Sequence, residues 1–312
     1  MSDYKEVVGT AVVNVAGDPP NPLEGQLWYN SSTTSFKVVK QSLEDAWATG
    51  NNMNTARGYM AGAGTQTAAL ASGGYPVTAK TEAYNGTNWT ELNDLNTARM
   101  IPAGCGTQTA ALAFGGGPPI TDVTETWNGT NWTEVNDLNT GRYASGAAGT
   151  NTAALAFGGY SGSVSADTEV WNGTNWTEVN NLNTGRYSLA GCGASNTASL
   201  AFGGSANPKA QTELWNGTNW TEVNDLNTGR STNTGAGTST AGLTFGGTSN
   251  TTKTETWNGT NWAEVNDLNT GNYGSGGAGT NTLALSFGGM TNGSVTEEWN
   301  ERSVTGTKTI TS

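Results

Sequence analysis

The residues of this chain that could do chemistry are charged side chains that recur at a nearly constant spacing. One arginine and one glutamate return every 42 to 44 residues. The arginines are Arg57, Arg99, Arg142, Arg186 and Arg230, with Asn272 at the sixth position, and the glutamates are Glu82, Glu125, Glu169, Glu213, Glu255 and Glu297. The arginines could gather an anionic ligand, or each could be held in a structural ion pair or by loop carbonyls. We favour the structural interpretation, because like charges brought together without carboxylate partners would repel one another.

Other reactive side chains are scarce. The chain has no histidine, and its two cysteines, Cys105 and Cys192, each follow a repeat arginine by six residues, where the other copies have alanine. A position filled by alanine or cysteine indicates small, buried packing, and we expect no disulfide between residues two repeats apart. Each candidate aspartate or glutamate has copies in sister repeats, whereas chemistry normally needs a unique constellation. We therefore expect no catalytic residue, no metal site and no cofactor, and the chain is not expected to be an enzyme.

The elements that position these residues follow from one repeated phrase. The segment Trp127 to Arg142 returns in six near-copies, and a Gly-Gly pair follows each copy. A period of this length is typical of repeat architectures. The second tryptophan of the phrase falls at Trp47, Trp89, Trp132, Trp176, Trp220 and Trp262.

One repeat contains four short strand signals and no helical periodicity. The apolar run 152–157 and the small residues before it predict two strands. The segments 168–171 and 175–179 predict two more, joined at Asn172-Gly173, a dipeptide suited to hairpin turns. Four antiparallel strands in each of six repeats predict an all-β fold, a six-bladed β-propeller, with the paired tryptophans packed between blades.

The two chain ends are expected to complete one blade together. The last copy lacks a fourth strand, and the segment 47–57 aligns with one. Closure by N- and C-terminal strands would remove the exposed edges of an open array. The predicted organisation is a docking arm over 1–43, a propeller over 44–301 and a C-terminal tail over 302–312.

The repeat resembles the kelch repeat, on three features. These are the Gly-Gly after the second strand, a glutamate two residues before the aromatic of the third strand, and a tryptophan about six residues beyond. The resemblance covers about residues 46 to 300 and implies a β-propeller. It implies no single activity, since propellers of this family include enzymes and binding platforms. The histidine ligands of copper-oxidase relatives have no counterpart here, and the sialidase hairpin signature is absent.

The overall composition argues against two classes of partner. The net charge is −12 and no basic run is present, so nucleic acid is not expected to bind. No segment has the apolar length of a membrane span, and the N-terminus lacks a secretory pattern. Membrane insertion and ordinary secretion are therefore not expected.

Differences between the copies mark a candidate binding surface. They concentrate in the loop between strands two and three and just after the arginine, two places expected at the same end of a blade. The candidate binding residues are Tyr59, Tyr75, Met100, Pro118, Tyr143, Tyr160, Tyr187, Tyr273 and Met290. Tyrosine suits protein or glycan surfaces because an apolar ring carries a polar tip. The alternative is simple drift in solvated loops, which tolerate change.

Residues 1–43 lie outside the repeat. A strand over 6–15, a proline-rich break over 18–22 and a β-hairpin over 25–39 are predicted. The stretches 22–30 and 36–38 resemble a short module near the start of tail-fibre and other virion proteins of marine and cyanobacterial phages. The resemblance implies an attachment arm, with the candidate docking residues Leu27, Trp28, Tyr29 and Phe36. The alternative is an extra hairpin that caps the propeller.

Together these patterns predict a non-catalytic structural or adhesion protein of a phage virion, assembled in the host cytoplasm. The arm would bind other virion proteins within an oligomeric assembly, and the propeller would bind a host-surface protein or glycan. The alternative function is a carbohydrate-binding, lectin-like propeller that is not part of a virion.

Overall fold

The described part of the chain is all-β. The computed structural model describes residues 13–19, 26–205, 209–291 and 293–310, with side chains described outside 13, 39–45 and 302–310. No helix occurs among these residues, and thus none that is long and apolar enough to cross a membrane. Contacts divide the chain into two compact units, Met1–Asp45 with Glu301–Ser312, and Ala46–Asn300. The arm, propeller and tail boundaries given above remain predictions.

The unit Ala46–Asn300 is built from repeated four-stranded antiparallel sheets, numbered here in chain order, and within each sheet the strands follow sequence order. Sheet 1 contains Ala61–Thr65, Ala68–Ser72, Thr81–Tyr84 and Trp89–Glu91; sheet 2 contains Ala103–Thr107, Ala110–Phe114, Thr124–Trp127 and Trp132–Glu134; sheet 3 contains Gly146–Thr150, Ala153–Phe157, Thr168–Trp171 and Trp176–Val179; sheet 4 contains Ala190–Ser195, Ala198–Phe202, Thr212–Trp215 and Trp220–Glu222; and sheet 5 contains Thr234–Gly237, Gly242–Phe245, Thr254–Trp257 and Trp262–Val265.

A sixth sheet contains strands from both ends of the chain. Its order is Val13–Val15, Leu27–Asn30, Ser35–Gly50, Thr296–Ile310, Leu283–Phe287 and Gly276–Gly279. The two long strands, Ser35–Gly50 and Thr296–Ile310, have residues in both units. Within Ala46–Asn300, sheet 6 therefore has four strands: Gly276–Gly279, Leu283–Phe287, residues 296–300 and residues 46–50.

The hairpin between the third and fourth strands explains the constant phrase. In sheet 2, Trp127 pairs with Trp132 across the turn. The side-chain oxygen of Asn128 accepts the backbone N–H groups of Thr130 and Asn131, at 2.9 Å each, and Gly129 adopts a φ of 92°. Asparagine supplies the local acceptor and glycine the left-handed backbone that the turn requires. The predicted Asn-Gly hairpins are confirmed.

Neighbouring sheets are joined by the same tryptophan contacts. In sheet 3, Trp176 packs on Phe114 of sheet 2 with ring centroids 4.8 Å apart. Its indole N–H donates to Thr124 Oγ1 at 3.1 Å. The equivalent hydrogen bonds run from Trp132 to Thr81, Trp220 to Thr168, Trp262 to Thr212, Trp47 to Thr254 and Trp89 to Thr296. The last of these joins sheet 1 to sheet 6.

The first strands of neighbouring sheets approach closely, which explains their glycines. A β-carbon on Gly62 would lie 2.5 Å from the carbonyl oxygen of Gly277, so sheets 1 and 6 meet backbone to backbone at this point. Repeated antiparallel sheets, with small residues on their first strands and tryptophans between the outer ones, are consistent with a β-propeller.

The predicted small, buried positions are confirmed. Cys105 and Cys192 are buried, free thiols, and the alanines at the equivalent positions of the other sheets are also buried. Dehydration raises the pKa of each thiol to about 12.

The unit that contains the N-terminal residues holds the predicted hairpin. Strand Leu27–Asn30 pairs antiparallel with Ser35–Gly50 and parallel with Val13–Val15. Asn30 closes the turn, because its side-chain oxygen accepts the N–H groups of Ser32 and Thr33. Of the strand predicted over 6–15, residues 6–12 lie outside the described residues, as do 20–22 of the proline-rich break.

Candidate functional site

The repeat arginines and glutamates form buried ion pairs. Arg99 lies 3.1 Å from Glu125, Arg142 2.5 Å from Glu169, Arg186 3.0 Å from Glu213 and Arg230 2.6 Å from Glu255, and Arg57 pairs with Glu82. Each glutamate also accepts backbone N–H groups, as Glu169 does from Asn139 and Thr140. The structural interpretation of the arginines is confirmed. They are not free to gather an anion, because their side chains are at most 2% exposed.

A ring of backbone hydrogen bonds, which we call the backbone ring, links the residues two positions after the five repeat arginines and after Asn272. Its members are Tyr59, Ile101, Ala144, Ser188, Thr232 and Gly274. Each N–H donates to the carbonyl of the preceding member, from Ile101 to Tyr59 at 2.9 Å, for example, and Tyr59 donates to Gly274 at 2.6 Å. The six residues therefore connect all six sheets through main-chain atoms alone.

The backbone ring has an unusual conformation. All six members have φ between 53° and 63°, including the β-branched residues Ile101 and Thr232. Such values are uncommon for residues with side chains, and for β-branched residues they are strained. The hydrogen bonds to both neighbours stabilise this strained backbone.

Three pockets follow one another along the first strands. The backbone ring and the residues after it, among them Met60, Pro102 and Asn233, line the first pocket, which has a volume of about 490 Å³ including space open to solvent. The second is lined by residues one to three positions further on, and the third reaches Cys105 and Cys192. All six repeats contribute residues to each pocket, and small side chains dominate the lining.

The two variable stretches of a repeat are held together by the main chain. Tyr143 and Tyr160 exchange backbone hydrogen bonds, as do Met100 and Gly117. Tyr187 accepts from Ser205, and Tyr273 from Met290. The residue after the arginine therefore lies beside the residue after the Gly-Gly pair, as expected from their predicted location at one end.

In the first repeat the tyrosine lies one position further from its arginine than in the third repeat. Gly58, and not Tyr59, makes the backbone bonds to Tyr75 that Tyr143 makes to Tyr160. Tyr59 instead belongs to the backbone ring and contacts the ring of Tyr273, with centroids 6.2 Å apart. Dehydration, and secondarily Tyr273, raises the pKa of Tyr59.

Three of the predicted tyrosines form a cluster. Tyr160 packs against Tyr143 at 5.3 Å and against Tyr187 at 5.9 Å between ring centroids, and we call these three residues the tyrosine cluster. Dehydration raises the pKa of Tyr143, with smaller contributions from its two partners. The other six predicted residues lie outside this cluster, two in each of the first, second and sixth repeats; of these, Tyr75 and Pro118 are exposed and Met100 and Met290 are half-buried.

The variable loops also expose apolar side chains that the sequence patterns did not single out. Val77, Ile120 and Val164 are each at least 40% exposed and lie, like Tyr75, in loops between second and third strands. An aliphatic residue in an otherwise polar loop was the available signal. These side chains add apolar area beside the predicted residues.

The predicted docking residues have different environments. Trp28 is fully buried and its indole N–H donates to Asp18 at 3.3 Å, whereas Phe36 is exposed and packs on Tyr29 at 5.1 Å. Leu27 and Tyr29 are half-buried. Phe36 is thus the most accessible of the four.

Asp18 organises this segment, a role that no residue pattern in the sequence indicated. Its carboxylate accepts hydrogen bonds from Asn30 at 2.7 Å and from Lys37 at 2.9 Å, in addition to Trp28. The bond from Lys37, followed by that from Asn30, lowers the pKa of Asp18.

Among the described side chains, no three His, Cys, Asp or Glu residues lie close enough together to hold a metal ion. Comparison of the sequence with models of known protein families gives no match, and comparison with curated proteins gives none either.

Proposed function

We propose that the six repeat sheets form a closed, six-bladed, kelch-like β-propeller that serves as a non-catalytic binding platform on a phage virion. Two sets of contacts support closure: the bond from Trp89 to Thr296, and the bond from Tyr59 to Gly274. Each repeats between sheets 1 and 6 a contact found between successive sheets. An experimental density map with six sheets around one axis is the expected result, and an open array would contradict closure.

The observation that carries the binding function is the separation of constant from variable residues. The tryptophan-to-threonine hydrogen bonds between neighbouring sheets use the same two residue types in all six copies, whereas the tyrosine cluster and the exposed apolar residues lie in the stretches that differ. Loops on a rigid scaffold are the usual place for recognition residues. A rigid frame with one variable end is suited to contact with another macromolecule.

The chemistry of this end suits a protein surface or a glycan. The tyrosine cluster offers ring faces and hydroxyl groups, and Val77, Ile120 and Val164 add exposed aliphatic area. Aromatic residues are enriched at protein interfaces, and their polar tips also suit hydroxyl-rich ligands. The tyrosine cluster is the observation that favours the second candidate function, a lectin-like propeller outside a virion.

Attachment to a virion is proposed from the N-terminal segment. Its likeness to phage virion proteins rests on the stretches 22–30 and 36–38, which include the exposed Phe36. In this proposal the arm binds other virion proteins and the variable end contacts the host surface. Mass spectrometry of purified particles should detect the chain as a stoichiometric component, and its absence from the particles would exclude this location.

The binding surface is tested with the full chain carrying Tyr143→Ala and Tyr187→Ala together. Binding to host cells and to a glycan array should fall at least about tenfold, the loss expected when two aromatic anchors are removed, while the melting temperature stays close to that of the native protein. A matched control is Thr177→Ala with Thr221→Ala, on exposed fourth-strand positions. Unchanged binding by the tyrosine variant, or equal loss in the control, would place the surface elsewhere. If the native protein binds to the glycan array but does not bind to host cells, the lectin-like alternative is favoured.

A further inference from the structure

The sixth repeat differs from the other five at a buried charged position. Glu297 is 3% exposed and thus nearly as buried as its sister glutamates, but Asn272 occupies the position at which the other five repeats have an arginine. Each of the five complete repeats buries an arginine–glutamate ion pair whose net charge is zero, whereas the sixth repeat buries a carboxyl group without the matching guanidinium. Burial of an ionised carboxylate without a cation is costly, so this position needs another solution.

The third repeat shows what surrounds the guanidinium when it is present. Arg142 donates to Glu169 at 2.5 Å and to three carbonyl oxygens, those of Thr140 at 3.2 Å, Asp167 at 2.9 Å and Gly158 at 3.4 Å. The cationic group therefore lies in a cage of one carboxylate and several neutral oxygens. This ligand set is also the one that hard metal cations prefer.

The frame of this cage is retained in the sixth repeat. Glu297 accepts the N–H groups of Asn269 at 2.8 Å and Thr270 at 3.1 Å, as Glu169 does from the equivalent residues. Gly288 donates to the carbonyl of Val295 at 2.9 Å, which matches the bond between Gly158 and Asp167 at 3.0 Å. The carbonyls of Thr270, Gly288 and Val295 therefore correspond to those around Arg142.

Asn272 does not take over the role of the arginine. Its amide N–H donates to the carbonyl of Gly288 at 2.5 Å. Its oxygen accepts the backbone N–H groups of Tyr273 at 3.0 Å and Thr291 at 3.4 Å. These bonds hold the short side chain against the backbone near the Gly-Gly pair. In the other repeats, guanidinium nitrogens lie next to the glutamate. Asn272 places no cationic group at the equivalent positions next to Glu297.

We propose that the sixth repeat binds a small monovalent cation between Glu297 and the carbonyl oxygens of Thr270 and Val295, in place of the missing guanidinium. One carboxylate and neutral oxygens balance a single positive charge. Sodium, potassium and the free guanidinium ion each carry one positive charge. The two metal ions coordinate oxygen atoms, and guanidinium donates hydrogen bonds to them.

The test is the thermal stability of the full chain in different chloride salts at equal ionic strength. Sodium, potassium or low-millimolar guanidinium chloride should raise the melting temperature by a few degrees over choline chloride, because a ligand that binds only the folded state stabilises it by mass action. Choline is too large for a site of guanidinium size. Comparison of the three small cations identifies which one the site prefers.

Three variants separate this site from general salt effects. Asn272→Arg supplies the cation covalently, so its melting temperature should be higher and independent of the choice of cation. Glu297→Gln removes the charge with little change of shape and should also abolish the dependence. Arg186→Asn recreates the sixth-repeat arrangement in the fourth repeat, so the dependence of the melting temperature on the cation should increase.

The outcome that overturns the proposal is an equal melting temperature of the native chain in all four salts. A cation dependence of the same size in Glu297→Gln would overturn it as well, because the carboxylate would then have no part in binding. Glu297→Gln alone keeps the test decisive if Asn272→Arg does not fold.

Discussion

Replacement of Arg186 by methionine gives a direct measure of what the buried ion pairs contribute. The Arg186 side chain is fully buried and lies 3.0 Å from Glu213. Its guanidinium also donates to the carbonyl of Ala201 at 3.4 Å. Methionine keeps much of the aliphatic volume but removes the charge, so Glu213 would be left with hydrogen bonds from Asn183 and no cation.

The expected loss of stability is large. Removal of one partner from a buried ion pair costs about 3–5 kcal/mol, because the remaining charge stays buried and unpaired. For a chain of this size, each kcal/mol lowers the melting temperature by roughly 2 °C or somewhat more, so Arg186→Met should melt on the order of 10 °C lower. Circular dichroism melts and urea titrations of the full chain measure this change.

A double variant separates the unpaired charge from lost packing. Arg186→Met with Glu213→Gln should recover much of the loss, because the amide of glutamine can be buried without a cation. If Arg186→Met melts within about 2 °C of the native protein, a cost that small does not fit a buried pair, and the structural role of the repeat arginines is refuted. Loss of anion binding at unchanged stability would instead support the ligand-gathering alternative.

Two further predictions concern titratable groups. Cys105 and Cys192 should resist a thiol reagent such as dithionitrobenzoate at pH 8 in the folded protein and react fully in denaturant, because burial raises the pKa of both thiols to about 12; fast reaction without denaturant would contradict their burial. The lowered pKa of Asp18 means that its ionised form stabilises the hairpin above the ordinary carboxyl range, and that this contribution is lost as the pH falls through the lowered value. Asp18→Asn should therefore show faster hydrogen exchange than the native chain over residues 27–37 at pH 7, with the difference disappearing at about pH 3 or below; an equal difference at both pH values would argue against the carboxylate.

Much of the repeat architecture could be predicted from the sequence, because the same local signals occur in each copy. The Asn-Gly turns, the paired tryptophans and the pairing of arginine with glutamate all follow from side-chain type and spacing. In the structure, Asn128 and Gly129 form the predicted turn, and Arg142 contacts Glu169. A local preference that would be weak evidence in one copy becomes strong evidence when it recurs in six copies.

The backbone ring could not be predicted in the same way. Isoleucine and threonine have no preference for a left-handed backbone, so Ile101 and Thr232 gave no signal of their conformation. The conformation is imposed by hydrogen bonds to residues more than 40 positions away, such as that from Ile101 to Tyr59. The position of Tyr59 in the backbone ring has the same origin, because main-chain hydrogen bonds set it and residue type does not reveal it.

The role of Asp18 was hidden for a different reason. Its three partners, Trp28, Asn30 and Lys37, are spread over a hairpin, and their meeting depends on the pairing of strands in the folded state. A proline-rich stretch indicated only a break in the chain. A single carboxylate in such a stretch carries no pattern that spacing could reveal.

The uniform tryptophan-to-threonine junctions between sheets have a consequence for how the gene can change. Since successive junctions have the same donor, the same acceptor and nearly the same geometry, any of the contiguous sheets 1 to 5 presents the same junction residues as the others. Unequal recombination between the segments that encode these repeats can therefore exchange or duplicate whole units while their junctions stay intact. Such exchanges can bring variable loops of different sequence into new combinations. The contact residues then change while the buried residues between the sheets stay the same.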